Sequence, residues 1–251
     1  METKEIEILV LGCGDAFSSG GQFNTCFLVK TNTATILLDC GGTSLLALKK
    51  AGISTNDIDA IVISHFHGDH FGGIPYFLLD AFYMAKRSKP LCIVSPKGGT
   101  ERIRDLVNLL YPGSSEILNL GLVSFVEYTT ESTLAVLDFK LKAFPAIHAP
   151  DSVPHSLRLS FGNKTIAFSG DTSWHPGLLD LAENSDLFIC EASCFKKEGN
   201  GHLSFQNLLE QKENFRSKRI LLSHLGEESL INIEEIKKSF ECASDGMYML
   251  V

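Results

Sequence analysis

A short β-branched run, Asp59-Ala60-Ile61-Val62-Ile63, opens directly into Ser64-His65-Phe66-His67-Gly68-Asp69-His70-Phe71-Gly72-Gly73. Apolar residues of this kind and length read as a buried strand. Three imidazoles and a carboxylate therefore crowd the carboxyl end of one strand. In extended chain His65 and His67 project to the same side, because side chains repeat every second residue. Gly68 permits a turn, after which Asp69 and His70 open a helix predicted to run through Ile74, Phe77, Leu78 and Phe82. Two imidazoles on one face, then a carboxylate and a third imidazole beyond a tight turn, suit two neighbouring cations of the borderline kind, such as zinc. A lone histidine at a strand end is usually a packed or solvent-facing side chain; this spacing is not what chance gives.

Further runs end on the same residue types: Phe144-Pro145-Ala146-Ile147-His148, Ser169-Gly170-Asp171-Thr172 and Leu221-Leu222-Ser223-His224. Open sheets bind ligands beyond the carboxyl ends of their strands, and this chain follows that geometry. Taken with His-x-His-x-Asp-His and the Gly-Gly after it, these segments resemble the metallo-β-lactamase superfamily over nearly the whole chain. The resemblance implies an α/β fold, a four-layer αββα sandwich with sheet against sheet and helices outside. It also implies a dinuclear site: His65, His67 and His148 around one cation, Asp69, His70 and His224 around the other, and Asp171 bridging. Two divalent metal ions are expected, zinc first, with manganese or iron as alternatives.

At 251 residues and 44% hydrophobic content the chain supports a sizeable core. With no low-complexity or Pro/Ser-rich linker it reads as one domain over 1–251. No apolar stretch reaches about eighteen residues, so no membrane span is expected. The start, Met1 to Val10, runs from charges straight into a strand without a signal-peptide core. Seven cysteines, an odd number set mostly in strand-like runs, read as reduced thiols, and both observations point to the cytoplasm. Cys190-x-x-x-Cys194 lacks the second pair that a tetrahedral site needs.

The formal charge is −8. Affinity based on phosphate neutralisation calls for a basic face. The basic clusters at Lys196-Lys197, at Lys212 with Arg216, Lys218 and Arg219, and at Lys237-Lys238 read as solvated surface. A small-molecule substrate is expected and nucleic acid is not. The Gly-rich loop at 12–21 matches neither phosphate-cradling pattern.

Strands are predicted at Ile6–Leu11, Thr25–Val29, Thr35–Asp39, Leu91–Ser95, 121–128, 134–144, Leu157–Phe161, Thr165–Ser169, Leu187–Cys190 and Ile220–Ser223. Helices are predicted at Thr43–Ala51, Gly99–Leu110, 203–213 and 231–239.

A zinc-bound water has its pKa lowered to about 7, and a second metal can neutralise a developing oxyanion. The expected chemistry is attack by metal-bound hydroxide on phosphorus or an acyl carbon. Cys190-Glu191-Ala192-Ser193, followed by Gly201-His202-Leu203-Ser204, looks like the Glu-Ala-Thr and His-Ser/Thr segments of the tRNA 3′-processing endonuclease (RNase Z) branch. There a glutamate orients a histidine that protonates the departing alkoxide. The resemblance implies His202 as general acid and Glu191 as its orienting partner, with Asp69 completing the reacting centre. That branch carries a flexible tRNA-binding arm between the positions matching His148 and Asp171; here only residues 149–170 separate them. The missing arm and the acidic charge point to a smaller phosphodiester, a cyclic nucleotide or nucleotide-like ester. Relatives of the branch often dimerise, so a homodimer is an expectation of the resemblance.

Three alternatives use the same residues. A carboxylic ester, lactone or thioester hydrolase would need His202 little, because its leaving group departs with less help. A tRNA 3′-processing endonuclease would need the arm. An iron-dependent dioxygenase is the redox alternative, since those relatives keep the histidine at position 67. His155, Arg158 and His175 are candidates to touch substrate, and Phe66 and Trp174 to form an apolar wall, though packing explains each equally.

Overall fold

A computed structural model describes residues 5–197, 199 and 201–251. The charged opening, Met1–Lys4, lies outside the described residues. Two sheets of seven strands form the body of the molecule among the described residues. The first contains β1 (Glu7–Gly12), β2 (Cys26–Lys30), β3 (Thr35–Leu38), β4 (Ala60–Val62), β5 (Leu91–Pro96) and β6 (Val123–Tyr128). The second contains β7 (Thr133–Val136), β8 (Phe139–Pro145), β9 (His155–Phe161), β10 (Lys164–Phe168), β11 (Leu187–Glu191), β12 (Ile220–Ser223) and β13 (Glu241–Cys242). The chain then returns to the first sheet as β14 (Tyr248–Leu250), which pairs antiparallel with β1. The orders are β14-β1-β2-β3-β4-β5-β6 and β13-β12-β11-β10-β9-β8-β7.

Each sheet is antiparallel on one side and parallel on the other. The parallel sets are β3 to β6 and β10 to β13. Parallel neighbours require crossover connections, and helices supply them. The helices Ser44–Lys50, Gly99–Leu110, Gly177–Ala182 and Phe205–Gln211 fall in such crossovers.

Period-two alternation sorts the apolar side chains into layers. Ile36, Leu38, Ala60 and Val62 meet Leu157, Leu159, Ile166, Phe168, Leu187 and Ile189 between the sheets. Their chain neighbours Leu37, Ile61 and Ile63 turn outward, with Leu48, Phe77, Ile103 and Val107 of the helices on that face. Phe188, Cys190 and Leu222 do the same against Leu178, Leu181, Leu208 and Ile236. Strands buried on both faces must be apolar throughout, which is why these runs show no polar interruption. The three apolar layers define the four-layer αββα sandwich.

The structure departs from the sequence reading in a few places. The strand predicted at 134–144 is the β7–β8 hairpin, with Val136 opposite Phe139 and the turn made at Leu137, φ 48°. The helix predicted from Asp69 to Phe82 is broken into Gly68–Phe71, Ile74–Leu79 and Asp80–Met84. At the first break the backbone bonds sideways, Cys40 N to His70 O at 2.7 Å and Gly73 N to Cys40 O at 2.9 Å. The helix predicted at 231–239 is two short turns, Glu227–Ile231 and Ile233–Ile236. The helix Gly177–Ala182 has no counterpart in the sequence reading.

Candidate metal centre

Strands of both sheets deliver their ends to one place. Just past β3, Asp39 takes a left-handed backbone conformation, φ 61°, and its buried carboxylate accepts from Ser64 N at 2.7 Å and Ser64 Oγ at 2.8 Å. This contact fixes the chain as it leaves β4 and enters His65. The next turn packs against the loop after β3 so closely that a Cβ on Gly41 would lie 2.0 Å from the Asp69 carbonyl oxygen. From the second sheet, β10 delivers Asp171, β8 leads to His148 and β12 leads to His224. His224 is held by its backbone N–H to Cys13 O at 2.8 Å.

Seven side chains converge here in two overlapping sets, His65, His67, His148 and Asp171, and Asp69, His70, Asp171 and His224. Asp171 Oδ2 lies 3.2 Å from His70 Nε2, 3.4 Å from His224 Nε2, 3.7 Å from His65 Nε2 and 3.9 Å from His148 Nε2. Asp69 Oδ2 lies 3.2 Å from both His70 Nε2 and His224 Nε2. His148 Nε2 and His67 Nδ1 face one another at 2.9 Å.

Neighbouring groups decide which ring nitrogen of each imidazole is free. His70 Nδ1 donates to Asp39 Oδ2 at 2.7 Å, and His148 Nδ1 donates to the Gly201 carbonyl at 2.7 Å. Ser64 gives its own proton to Asp39, so its oxygen accepts from His65 Nδ1 at 3.0 Å. Each of these rings then turns its Nε2 toward Asp171. His65 Nε2, His70 Nε2 and Asp171 Oδ1 are buried without a hydrogen-bond partner among the described residues. Buried polar atoms are rarely left so. Convergent imidazole nitrogens and carboxylate oxygens are the donor set of a borderline divalent cation, and the residues fit one.

The two sets differ electrically. Burial holds the His65, His67 and His148 imidazoles below the ordinary histidine pKa, in the neutral form that ligates. Burial acts the same way on His224, but Asp171 and Asp69 outweigh it and push the pKa up to about 9. His70 is likewise raised, against its burial, by Asp171, Asp69 and Asp39. The carboxylates of the second set demand positive charge at this point.

A second constellation adjoins the first. Glu191, buried at the end of β11, accepts from Thr172 N at 2.7 Å and Ser193 N at 3.3 Å, and lies 3.1 Å from His202 Nδ1. His202 Nδ1 is 4.0 Å from Asp171 Oδ2, and its side chain is 26% exposed. Since the Glu191 carboxylate fixes Nδ1 as a donor, Nε2 is the atom left to exchange a proton outside.

Four other sequence candidates are engaged elsewhere. His155 Nδ1 donates to Val153 O at 2.9 Å and its ring packs edge-on against Tyr128. Arg158 donates to Leu181 O at 2.7 Å, on the helix-covered face of the second sheet, so it is not poised for an anionic substrate. Phe66 is a core residue beneath the Arg102 guanidinium rather than a pocket wall. Trp174 packs edge-on to Phe215 and joins the outer layer of the second sheet. His175 lies just before the helix Gly177–Ala182, outside both ligand sets. Asp39, Ser64 and Gly201 were not singled out from the sequence. Asp39 had a signal, since Leu38-Asp39-Cys40-Gly41 repeats the strand-then-acid pattern of Ser169-Gly170-Asp171.

Comparison with known proteins places the chain. The family model for the anti-Pycsar protein Apyc1 matches residues 6–242. The chain belongs to the anti-Pycsar protein Apyc1 family. The Apyc1 of Paenibacillus sp. (strain J14) is 30% identical over 230 residues, covering 89% of this chain and 90% of that protein. The ribonuclease Z of Lachnoclostridium phytofermentans is 26% identical over 285 residues, covering 93% and 91%. The metallo-β-lactamase fold protein YhfI of Bacillus subtilis superposes with a TM-score of 0.81 at 20% identity, covering 97% of this chain and 99% of that one. The chain is a hydrolase of the metallo-β-lactamase fold, with a His/Asp cluster that could hold metal. No helix among the described residues is long and apolar enough to cross a membrane.

Proposed function

We propose that the chain is a two-cation phosphodiesterase for small phosphodiesters, cyclic nucleotides or nucleotide-like esters, and that it works as one domain over 1–251. His65, His67 and His148 would hold one cation, Asp69, His70 and His224 the other, and Asp171 would be shared. Zinc suits the nitrogen-rich donor set best, with manganese or iron as the alternatives. Such ions supply a hydroxide at neutral pH and neutralise charge on the phosphoryl oxygens.

The observation that carries the reading is the Glu191–His202 pair, 3.1 Å apart and beside the ligand cluster. An alkoxide is a poor leaving group, and protonation as it departs is worth a general acid. Glu191 holds Nδ1, so His202 Nε2 gives up the proton. The relatives named ribonuclease Z break phosphodiester bonds, and the same chemistry is proposed for this chain. Between β8 and β10 the chain makes a short loop with one 3-10 turn, Pro150–Ser152, then the β9 strand and the turn into β10. The formal charge of −8 also weighs against a long polyanionic substrate, so nucleic acid is not the proposed partner. The buried thiols of Cys13, Cys26, Cys40 and Cys190 support a reducing compartment, the cytoplasm, and a homodimer is the expected assembly.

The test is turnover of bis(p-nitrophenyl) phosphate and of 2′,3′-cyclic nucleotides, set beside lactones and carboxylic esters. His202→Ala should cripple diester cleavage while bound metal stays unchanged. Full diester activity in that variant would overturn the acid assignment, and activity confined to lactones or carboxylic esters would overturn the substrate class.

A further inference from the structure

One backbone carbonyl connects the ligand cluster to the acid pair. Gly201 O accepts from His148 Nδ1 at 2.7 Å. The next residue, His202, turns its Nδ1 to Glu191 at 3.1 Å, and its ring packs against the His148 ring with centroids 4.8 Å apart. We propose that Gly201 is a positioning residue for both groups: its carbonyl aims His148 Nε2 at the first cation, and the same contact seats the segment that carries His202. This inference rests on the two-cation reading above.

The argument begins with where each imidazole gets its orientation. His65 and His70 are steered by Ser64 and Asp39, which stand at the ends of strands β4 and β3. His148 lies beyond β8 in irregular backbone, and its steering group sits far along the chain at Gly201. Few residues can present a carbonyl there. Gly201 has φ 81°, and a Cβ on it would lie 2.4 Å from His148 Nδ1 and 3.1 Å from His148 Cα. Downstream, His202 runs into a firm anchor. Cys194 N donates to Leu203 O at 3.0 Å, and Ser204 caps the helix Phe205–Gln211, its Oγ accepting from Asn207 N at 3.2 Å. The acid is thus held by a helix cap on one side and by a metal-ligand imidazole on the other.

Coupling of this kind is reciprocal. A cation that orders His148 orders the His202 segment, and a displaced Gly201 carbonyl weakens the hold on that cation. Partners that orient metal-ligating histidines typically account for about 10- to 100-fold in metal affinity. The proton donor would then be held more firmly when the first cation is bound.

Zinc is the probe, titrated into metal-stripped protein against a chromophoric chelator, with no turnover involved. Wild type should show two sites, and Gly201→Ala should weaken one by about 10- to 100-fold while sparing the other. The variant's residual kcat should also fall further for phenyl than for p-nitrophenyl diesters, because a misplaced acid hurts the poorer leaving group more. Should Gly201→Ala not fold, hydrogen exchange on wild type decides. Zinc should slow the amides of His202 and Leu203 by at least about fivefold. Unaltered zinc affinity in the variant, or exchange at 202–203 indifferent to zinc, would overturn the proposal. Wild type that binds no zinc at all would strike the two-cation reading instead.

Discussion

Asp39 Oδ2 accepts from His70 Nδ1 at 2.7 Å and from Ser64 Oγ at 2.8 Å, and Ser64 Oγ in turn meets His65 Nδ1 at 3.0 Å. One carboxylate with no solvent exposure therefore aims two imidazoles, one in each proposed ligand set. Asp39→Ala would leave Ser64 N–H and the His70 imidazole without their acceptor in the interior. Breaking one side of a buried pair costs about 3–5 kcal/mol. We expect a loss of that order in urea unfolding, together with a zinc content below that of wild type. A stable variant with full zinc content would remove Asp39 from this role.

The pH profile should report the Glu191–His202 pair. Burial pulls the His202 pKa down, but the Glu191 carboxylate outweighs it through its hydrogen bond and charge, leaving the pKa above the ordinary histidine value. Asp171 pushes the same way and His224 the other, while the neutral His148 ring packs alongside. A general acid acts only while protonated, so activity is lost as pH rises through that value. Glu191→Gln removes the charge that raises it. The alkaline limb of kcat/KM should move to lower pH, and a limb that stays put would separate Glu191 from the proton transfer.

Glu127 offers a test of stability away from the site. From the end of β6 it accepts from Gly98 N at 2.9 Å, Thr100 N at 3.0 Å and Thr100 Oγ1 at 2.7 Å. It therefore caps the helix Gly99–Leu110, whose own cap residue has no side chain. These bonds hold its carboxyl below the usual glutamate range. A depressed folded pKa gives stability that is present above the unfolded pKa and lost as pH falls through the folded one. Glu127→Ala should cost about 1 kcal/mol at neutral pH and progressively less in acid. A deficit in urea unfolding that did not shrink in acid would contradict the ionised cap.

Chelation should act on stability as well as turnover. Asp69 and Asp171 are both buried, and cations that bind only the folded chain stabilise it by mass action. At free zinc about 1,000 times its Kd the gain is about 4 kcal/mol. EDTA should abolish diester cleavage and lower Tm, with both restored by zinc. Activity that survives exhaustive chelation would refute a metal-dependent mechanism.

Much of this was legible because strands buried on both faces cannot hide their endings. Val62, Phe168 and Leu222 belong to apolar runs, so the first polar residues beyond them stood out as candidates. What escaped has physical reasons too. The turn at Leu137–Asp138 carries no Gly, Pro or Asn, and Ala135-Val136-Leu137 continues the apolar pattern straight through it. Asp39 looked like a strand terminus, since its bond to His70 spans 31 positions of chain. Gly201 acts through its carbonyl, which every residue has; only the close approach of His148 makes it particular. Arg158 failed as a substrate contact because alternation put it on the outer face of β9, under the helix Gly177–Ala182.

Each ligand set draws on both sheets: His65 and His67 precede the β6–β7 connection and His148 follows it, as do Asp69 and His70 relative to His224. Severing the polypeptide between Tyr128 and Thr133 would give two pieces, neither with a complete coordination sphere. Zinc would then be the rivet that makes their reunion favourable, and phosphodiester hydrolysis by the mixed pieces would be a signal of assembly that neither piece gives by itself.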